Sequence, residues 1–270
     1  MYAFTYTRAA TVAEAANAAA GNFEARLLAG GQTLIPTLKQ RLAKPALLID
    51  LSRIADLKGI TQTGNAIGIG AMTTHAEVAA SPVIRNACPA LGFLAGEIAD
   101  PAVRHRGTIG GSLANNDPAA DYPAAILALA ATIVTNKRNI RADDYFKGLF
   151  STALEPGEII TGVGFPIPEK AGYAKLAQPA SRFALVGVFV AKGPASGPGG
   201  VRVAVTGAGD SGVFRAANLE AALSTKFEVS ALTGLTVPAT GLMSDLHGDA
   251  TYRAALIPVM AERAVAKANS

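Results

Sequence analysis

The sequence predicts an α+β protein in which a small parallel unit is followed by a larger mixed region and then an antiparallel sheet. Three observations carry that prediction. Residues 25–50 run strand-like, helical and strand-like again, the pattern of a βαβ unit. Phe183 to Ala191 and Val201 to Thr206 are apolar, β-branched runs on either side of a Gly/Pro-rich turn from Gly193 to Gly200, which predicts an antiparallel pair. The chain then closes on a helix expected over about Thr251 to Ala266, interrupted by Arg253, Glu262 and Arg263.

Taken in order, Phe4 and Tyr6 mark a short first strand, and Thr11 with Glu14 has capping-box spacing ahead of an alanine-rich helix. Ala25 to Leu28 reads as a strand closed by Gly30-Gly31. Thr33 is placed to cap the next helix, in which Leu34, Ile35, Leu38 and Leu42 keep helical spacing. Pro36 falls in its first turn, where a missing N–H costs nothing, and Pro45 ends it. Ala46 to Asp50 returns as a buried strand. After a break near Lys58-Gly59, Ala66 to Gly70 is a strand, and Thr74 with Glu77 forms a second capping box. Pro82, Pro89 and Pro101 punctuate the following stretch. A glycine loop at Thr108 to Ser112 precedes the polar run Asn115-Asn116-Asp117, a helix over about Tyr122 to Ala131 and a strand at Thr132 to Thr135. Phe165-Pro166-Ile167-Pro168 opens the last block. The resulting division is 1–58, 59–167 and 168–270.

Composition narrows the class. The chain has 270 residues, half of them hydrophobic and 16% charged. Its mean hydropathy is +0.30. No uninterrupted apolar run approaches the roughly 20 residues of a membrane span, so the apolar excess is assigned to the core and to subunit contacts. The net charge is +4, but the basic residues are scattered and densest only at Arg104-His105-Arg106, without interleaved aromatics. That distribution argues against a nucleic-acid partner. Cys88 is the only cysteine, which excludes a disulfide framework, a cysteine-rich zinc site and an iron–sulfur cluster held within this chain. Residues 1–20 lack a basic leader with an apolar core, and the expected location is cytoplasmic.

The chemistry-bearing features are two double-glycine loops, Ala29-Gly30-Gly31-Gln32-Thr33 and Thr108-Ile109-Gly110-Gly111-Ser112. Glycine admits close backbone approach and positive φ, so both loops can turn N–H groups toward one anion. Closing around a diphosphate, such as that of flavin adenine dinucleotide, is the shared expectation. Neither loop is a P-loop, because no lysine follows the glycines in the required place. Gly207-Ala208-Gly209-Asp210-Ser211-Gly212 fits G-x-G-x-x-G, yet no second parallel strand with a terminal acid follows it, so it reads as a loop after a sheet strand. His75, His105 and His247 have no metal-ligand spacing and are expected at the surface or in caps. No G-x-S-x-G elbow is present. Asp117 and Asp121 suggest polar contacts to a ligand or a helix cap, and Arg104 and Arg106 suggest added positive charge or a subunit contact. Tyr173 and Lys175 are expected just before the antiparallel sheet, and a lysine near a flavin's pyrimidine end would favour an anionic reduced state.

With these residues in view, the chain resembles the FAD-binding medium subunit of the molybdenum hydroxylases, the carbon monoxide dehydrogenase and xanthine dehydrogenase group. The resemblance covers Phe4-Thr5-Tyr6, Leu28 to Pro36, Leu48 to Leu51 and Ile69 to His75. It is strongest at Val103 to Ala114 and Asp117 to Asp121, and extends to Ser244-Asp245 and Tyr252-Arg253. It implies an FAD-binding fold of two α+β subdomains, 1–58 and 59–167, followed by a C-terminal domain, 168–270, with a small antiparallel sheet and helices. It further implies that Leu28, Ala29, Gly30, Gly31, Gln32, Thr33, Leu34 and Ile35, with Thr108, Ile109, Gly110, Gly111 and Ser112, wrap the FAD diphosphate. Asp121, Ile98, Ile160 and Lys175 match further cofactor contacts, Ile98 near the isoalloxazine.

The resemblance also implies the activity. A large partner subunit with the molybdenum cofactor would oxidise the substrate, and a small partner would carry electrons through 2Fe–2S clusters to FAD in this chain. From there they would pass to an external acceptor. A dimer of such heterotrimers is the assembly it suggests. No catalytic residues of substrate oxidation are then expected here. A self-contained FAD-dependent oxidase or reductase, and a nucleotide-binding scaffold, stand as the alternative readings.

Overall fold

The structure is a computed structural model that describes residues 1–193 and 200–270. The central part of the expected Gly193–Gly200 turn, residues 194–199, lies outside the described residues.

The N-terminal unit contains β1 (Thr5–Arg8), α1 (Val12–Ala20), β2 (Ala25–Leu28), α2 (Leu34–Lys39) and β3 (Leu47–Asp50). Its sheet is parallel in the order β1-β3-β2, with Thr5 and Ala25 both in register with Leu47. The central strand is buried from both sides, which is why it reads as a continuous apolar run. Ile49, Leu51, Ile54 and Leu57 form its core with Ala15, Met72 and Ile159. Thr11 accepts from the Glu14 N–H at 3.1 Å, while the Glu14 carboxylate takes the Ala10 N–H at 2.8 Å, a capping box displaced by one residue. Thr33 stands at the head of α2 but makes no side-chain cap, because its backbone is already helical at φ −104°, ψ −50°. That helix also ends at Lys39, before Pro45, where Arg41 turns into positive φ.

The middle unit comprises β4 (Ile60–Thr63), β5 (Ala66–Gly70), α3 (His75–Ala80), α4 (Pro82–Ala87), α5 (Pro89–Gly96), α6 (Pro101–Arg104), α7 (Ile109–Asn115), α8 (Tyr122–Ala128), β6 (Thr132–Thr135), β7 (Asn139–Arg141), α9 (Ala142–Tyr145), β8 (Phe146–Gly148), β9 (Ser151–Thr152) and β10 (Ile160–Pro166). Its main sheet is antiparallel in the order β4-β5-β10-β6-β7. Each proline in the helical region opens a helix at its first turn, where the lost donor has no partner anyway. All seven residues of α8 are buried, and it stops before the expected Ala131, because Ala130 takes φ +49° to enter β6.

The C-terminal unit is β11 (Lys170–Ala177), β12 (Ala184–Lys192), β13 (Val201–Thr206), β14 (Phe214–Arg215), α10 (Ala217–Thr225) and α11 (Ala250–Asn269). Its antiparallel sheet runs β11-β12-β13-β14, and Val186, Val188, Val190, Val203 and Val205 pack with Ile257, Met260, Ala261 and Ala264 of α11. Strand β11 escapes the sequence pattern because its KAGYAKLA sequence lacks β-branched residues. Tyr173 and Lys175 therefore lie within the sheet, not ahead of it. The Gly207–Gly212 segment joins antiparallel β13 and β14, which rules out a dinucleotide-binding βαβ turn. Its glycine serves packing: a Cβ on Gly207 would overlap the Ala184 carbonyl oxygen, and buried Arg253 donates to the Gly207 oxygen at 2.6 Å while pairing with Asp245 at 2.8 Å.

Candidate functional site

The first glycine loop follows from the parallel sheet. Strand β2 ends at Leu28, the chain reverses through Gly31 at φ +73°, and α2 begins three residues later at Leu34. Among the described residues, the backbone N–H groups of Gly30, Gly31, Gln32, Thr33 and Leu34 meet no protein acceptor. Five adjacent free donors, the first two on glycines, form an anion cradle.

The second loop is built differently. Thr108 caps α7 by accepting the Gly111 N–H at 3.1 Å. The N–H groups of Ile109, Gly110 and Ser112 go to Thr73, Ala71 and Thr108 carbonyls at 3.1, 2.8 and 3.0 Å. Of the second loop's amides only that of Thr108 meets no protein acceptor among the described residues, against five in the first loop. The second offers mainly its glycine surface and the Ser112 side chain, because the amides of Ile109 to Ser112 bond the Thr73 and Ala71 carbonyls and cap α7.

The two loops abut. A Cβ on Gly30 would overlap the Arg106 carbonyl oxygen and lie 2.8 Å from Gly107 Cα, and one on Gly111 would lie 3.5 Å from Ala29 Cβ. Between and beyond them runs a cleft of about 870 Å³, within the usual ligand-pocket range. Of the residues singled out from sequence, Ala29, Gly30, Gly31, Gln32, Thr33, Leu34, Ile98, Thr108, Gly110, Gly111, Ser112, Asp121 and Ile160 line it. Leu28 and Ile35 instead pack beneath Gly31, and Ile109 is fully buried in the middle core.

Lys175 does not line the cleft. Its ammonium is buried and lies 2.9 Å from Asp121 Oδ1, with further bonds to the Glu97 and Arg182 carbonyls at 2.9 Å each. Tyr173 donates to the same Asp121 oxygen at 2.5 Å. Burial pushes the Asp121 carboxyl upward, and Lys175 and Tyr173 offset part of that rise. The Asp117–Asp121 segment is gripped by the C-terminal sheet: Thr206 donates to the Ala120 carbonyl at 2.6 Å, and Gly207 N–H to that of Pro118 at 2.9 Å.

Several lining residues are not among those singled out for the site from sequence, including Arg26, Thr37, Asp100 and Phe150. His75 is a correction. It was expected at the surface or in a cap, yet it is 5% exposed, lines the cleft and packs on Tyr122 with ring centroids 5.3 Å apart. The Thr74–Glu77 capping box turns it inward beneath Gly107, where a Cβ would sit 2.6 Å from its Nε2. Burial, and then the charge of Arg104, lower its pKa to about 4. Among the described residues, no group of His, Cys, Asp and Glu is placed to hold a metal, and no helix is long and apolar enough to cross a membrane.

A glycine-led amide cradle opening into a partly apolar cleft fits a dinucleotide with an anionic centre and planar aromatic ends. Residues 2–168 match the family described as the FAD binding domain in molybdopterin dehydrogenase. The chain is 32% identical, over 99% of its length and 98% of the relative's, to the nicotine 6-hydroxylase medium subunit of Paenarthrobacter nicotinovorans. It is 34% identical to the carbon monoxide dehydrogenase medium chain of Hydrogenophaga pseudoflava, over 90% of this chain and 88% of that one. Among solved structures, reconstituted CO dehydrogenase from Oligotropha carboxidovorans superposes with a TM-score of 0.88 at 33% identity, covering 99% of this chain and 98% of that one. With the cradle, the family match and the near-full-length kinship in agreement, the chain belongs to the FAD-binding medium subunits of the molybdopterin-dependent dehydrogenases, as a flavoprotein component of an oxidoreductase.

Proposed function

We propose that this chain relays electrons within a molybdenum hydroxylase complex. The observation that carries the reading is the row of free amides at Gly30 to Leu34 on the floor of the cleft, which suits the diphosphate of FAD. In this reading residues 1–58 and 59–167 are the two FAD-binding subdomains and 168–270 is the C-terminal domain. FAD, when bound, couples one-electron donors to acceptors that take two electrons. The chain's own residues bind and orient it. Gly30 packs against Arg106 and Gly31 turns through positive φ, which together aim the loop's amides at the diphosphate, Ser112 closes the opposite wall, and Ile98 and Ile160 supply apolar contact. Asp121 presents a carboxyl whose position is fixed by Lys175 and Tyr173, so Lys175 acts through Asp121.

A small subunit with 2Fe–2S clusters would deliver the electrons, a large subunit with the molybdenum cofactor would oxidise the substrate, and an external acceptor would reoxidise this chain. The likeness to medium subunits over nearly the whole chain supports such partners. The reading also places the complex in the cytoplasm.

The test is made on the freshly purified complex. One FAD per copy of this chain is expected, together with substrate-driven reduction of an external acceptor that stops when FAD is stripped and returns when it is added back. A complex without flavin, or acceptor reduction indifferent to flavin removal, would overturn the proposal.

A further inference from the structure

Phe150 stands where two costs meet. It sits in the turn between β8 and β9 with φ +53°, and the residue is 61% exposed. A left-handed backbone is a strained outlier for a bulky residue. Glycine would adopt the same backbone without strain, so the turn by itself does not demand an aromatic residue. Yet the chain enforces this conformation. Asn116, 3% exposed and itself left-handed at φ +45°, accepts the Phe150 N–H on its carbonyl at 3.1 Å. Its side-chain amide donates to the carbonyls of Gly148 and Ser151 at 2.9 and 2.8 Å, so three bonds from one residue fix the turn.

The direction of the device is set by its surroundings. Phe150 lines the same cleft as the glycine loops, as does Phe183 from the β11–β12 connection. Asn116 is the C-cap of α7, the helix whose first turn carries Gly110 and Gly111. One short rigid helix therefore fixes both a wall of the diphosphate site and the placement of the ring. An aromatic ring lining a cleft suits a planar heterocycle, on which it can stack.

We propose that Phe150 packs on the isoalloxazine of the bound FAD and shields it from solvent, with Asn116 as the residue that positions it. This rests on the FAD reading above. Phe150 is thus a cofactor-contact residue and Asn116 acts through it.

The experiment uses the full chain loaded with FAD and the variants Phe150→Gly, Phe150→Trp and Asn116→Ala. Flavin content is measured first, then quenching of flavin fluorescence by iodide and the rate of FAD dissociation. Phe150→Gly removes the ring while relieving the left-handed strain, so its fold is expected to persist. It should show quenching and FAD dissociation raised roughly threefold or more, because water and ions reach a cofactor that has lost its cover. Phe150→Trp should stay near wild type, and Asn116→Ala should shift in the direction of Phe150→Gly although the ring is still present. Phe150→Gly with full flavin and wild-type quenching and dissociation would overturn the shielding role. A wild-type chain that takes up no FAD would instead overturn the FAD reading, and the flavin content alone separates the two.

Discussion

Gly30 lies directly against the backbone of Arg106: a Cβ at position 30 would overlap the Arg106 carbonyl oxygen and stand 2.6 Å from its carbonyl carbon. The two glycine loops are thus packed on each other before any ligand arrives. This changes the reason for the glycines. The simplest view of a glycine-rich cradle is that a side chain would occupy the ligand's space. Here the side chains of Gly30 and Gly110 would strike the protein, the second 2.6 Å from Ala71 Cβ.

Gly30→Ala and Gly110→Ala are therefore expected to lower the stability of the FAD-free chain by about 1–3 kcal/mol, through forced separation of packed backbone, as well as to weaken FAD binding. Gly96→Ala is the control, since its Cβ would have only Ala79 Cβ at 4.0 Å, and it should be neutral or slightly stabilising. Denaturant unfolding of the FAD-free forms decides the matter. Loss of FAD affinity with unchanged FAD-free stability would return the clash to the ligand.

Lys175 and Asp121 form a pair with each side chain 3% exposed. Lys175→Met leaves a buried carboxylate facing Tyr173 alone, and a loss of about 3–5 kcal/mol is expected. The double variant Lys175→Met/Asp121→Asn should lose less than the sum of the single changes, because neither buried charge is then stranded. Equilibrium unfolding of the four proteins in this cycle measures the coupling. Simple additivity would show that the pair contributes no mutual stabilisation.

Two buried groups give opposite ends of an acid transition. His75 has its pKa lowered from 6.5 to about 4 by burial and by Arg104, so the unfolded chain binds the extra proton first. Stability tied to neutral His75 is complete above pH 6.5 and declines as pH falls toward 4. Replacing His75 by Phe should flatten that part of the stability curve.

Glu158 acts lower on the scale. Its carboxylate bonds Arg138 at 3.0 Å, Thr135 at 2.8 Å and the Glu155 N–H at 2.8 Å, and its pKa falls from 4.5 to about 2. Its contribution is present above pH 4.5 and is lost as pH falls through 2. Because Arg138 is partly solvent-screened, the expected cost of Glu158→Gln at pH 7 is about 1–2 kcal/mol, shrinking toward zero near pH 2. Unfolding followed across pH 2–7 for wild type and both variants checks each window. An unchanged slope in either would contradict the corresponding assignment.

Local signals were enough for much of this protein. The apolar run Leu47–Asp50 between Pro45 and Ser52, the Thr74–Glu77 capping box and the valine-rich strands β12 and β13 each encode their element within a few residues. The glycine loops were legible for the same reason, since a double glycine at a strand-to-helix turn is a statement about nearby backbone. What escaped was whatever depends on partners far along the chain. Strand β11 has no strand-like composition and exists because β12 offers seven residues in continuous register and α11 covers it, with Gly172 letting the helix backbone at Ala264 come close. The inward turn of His75 beneath Gly107, the locking of Lys175 onto Asp121 and the clamp of Asn116 on the Phe150 turn span distances in sequence over which no periodicity operates. The sequence by itself determined that two glycine loops and an FAD-binding class belong to this protein. Only the tertiary structure decided that one loop keeps five adjacent amides free while the other spends those of Ile109 to Ser112 on the protein, because backbone hydrogen bonds must be satisfied wherever burial removes water, and burial is a property of the whole fold.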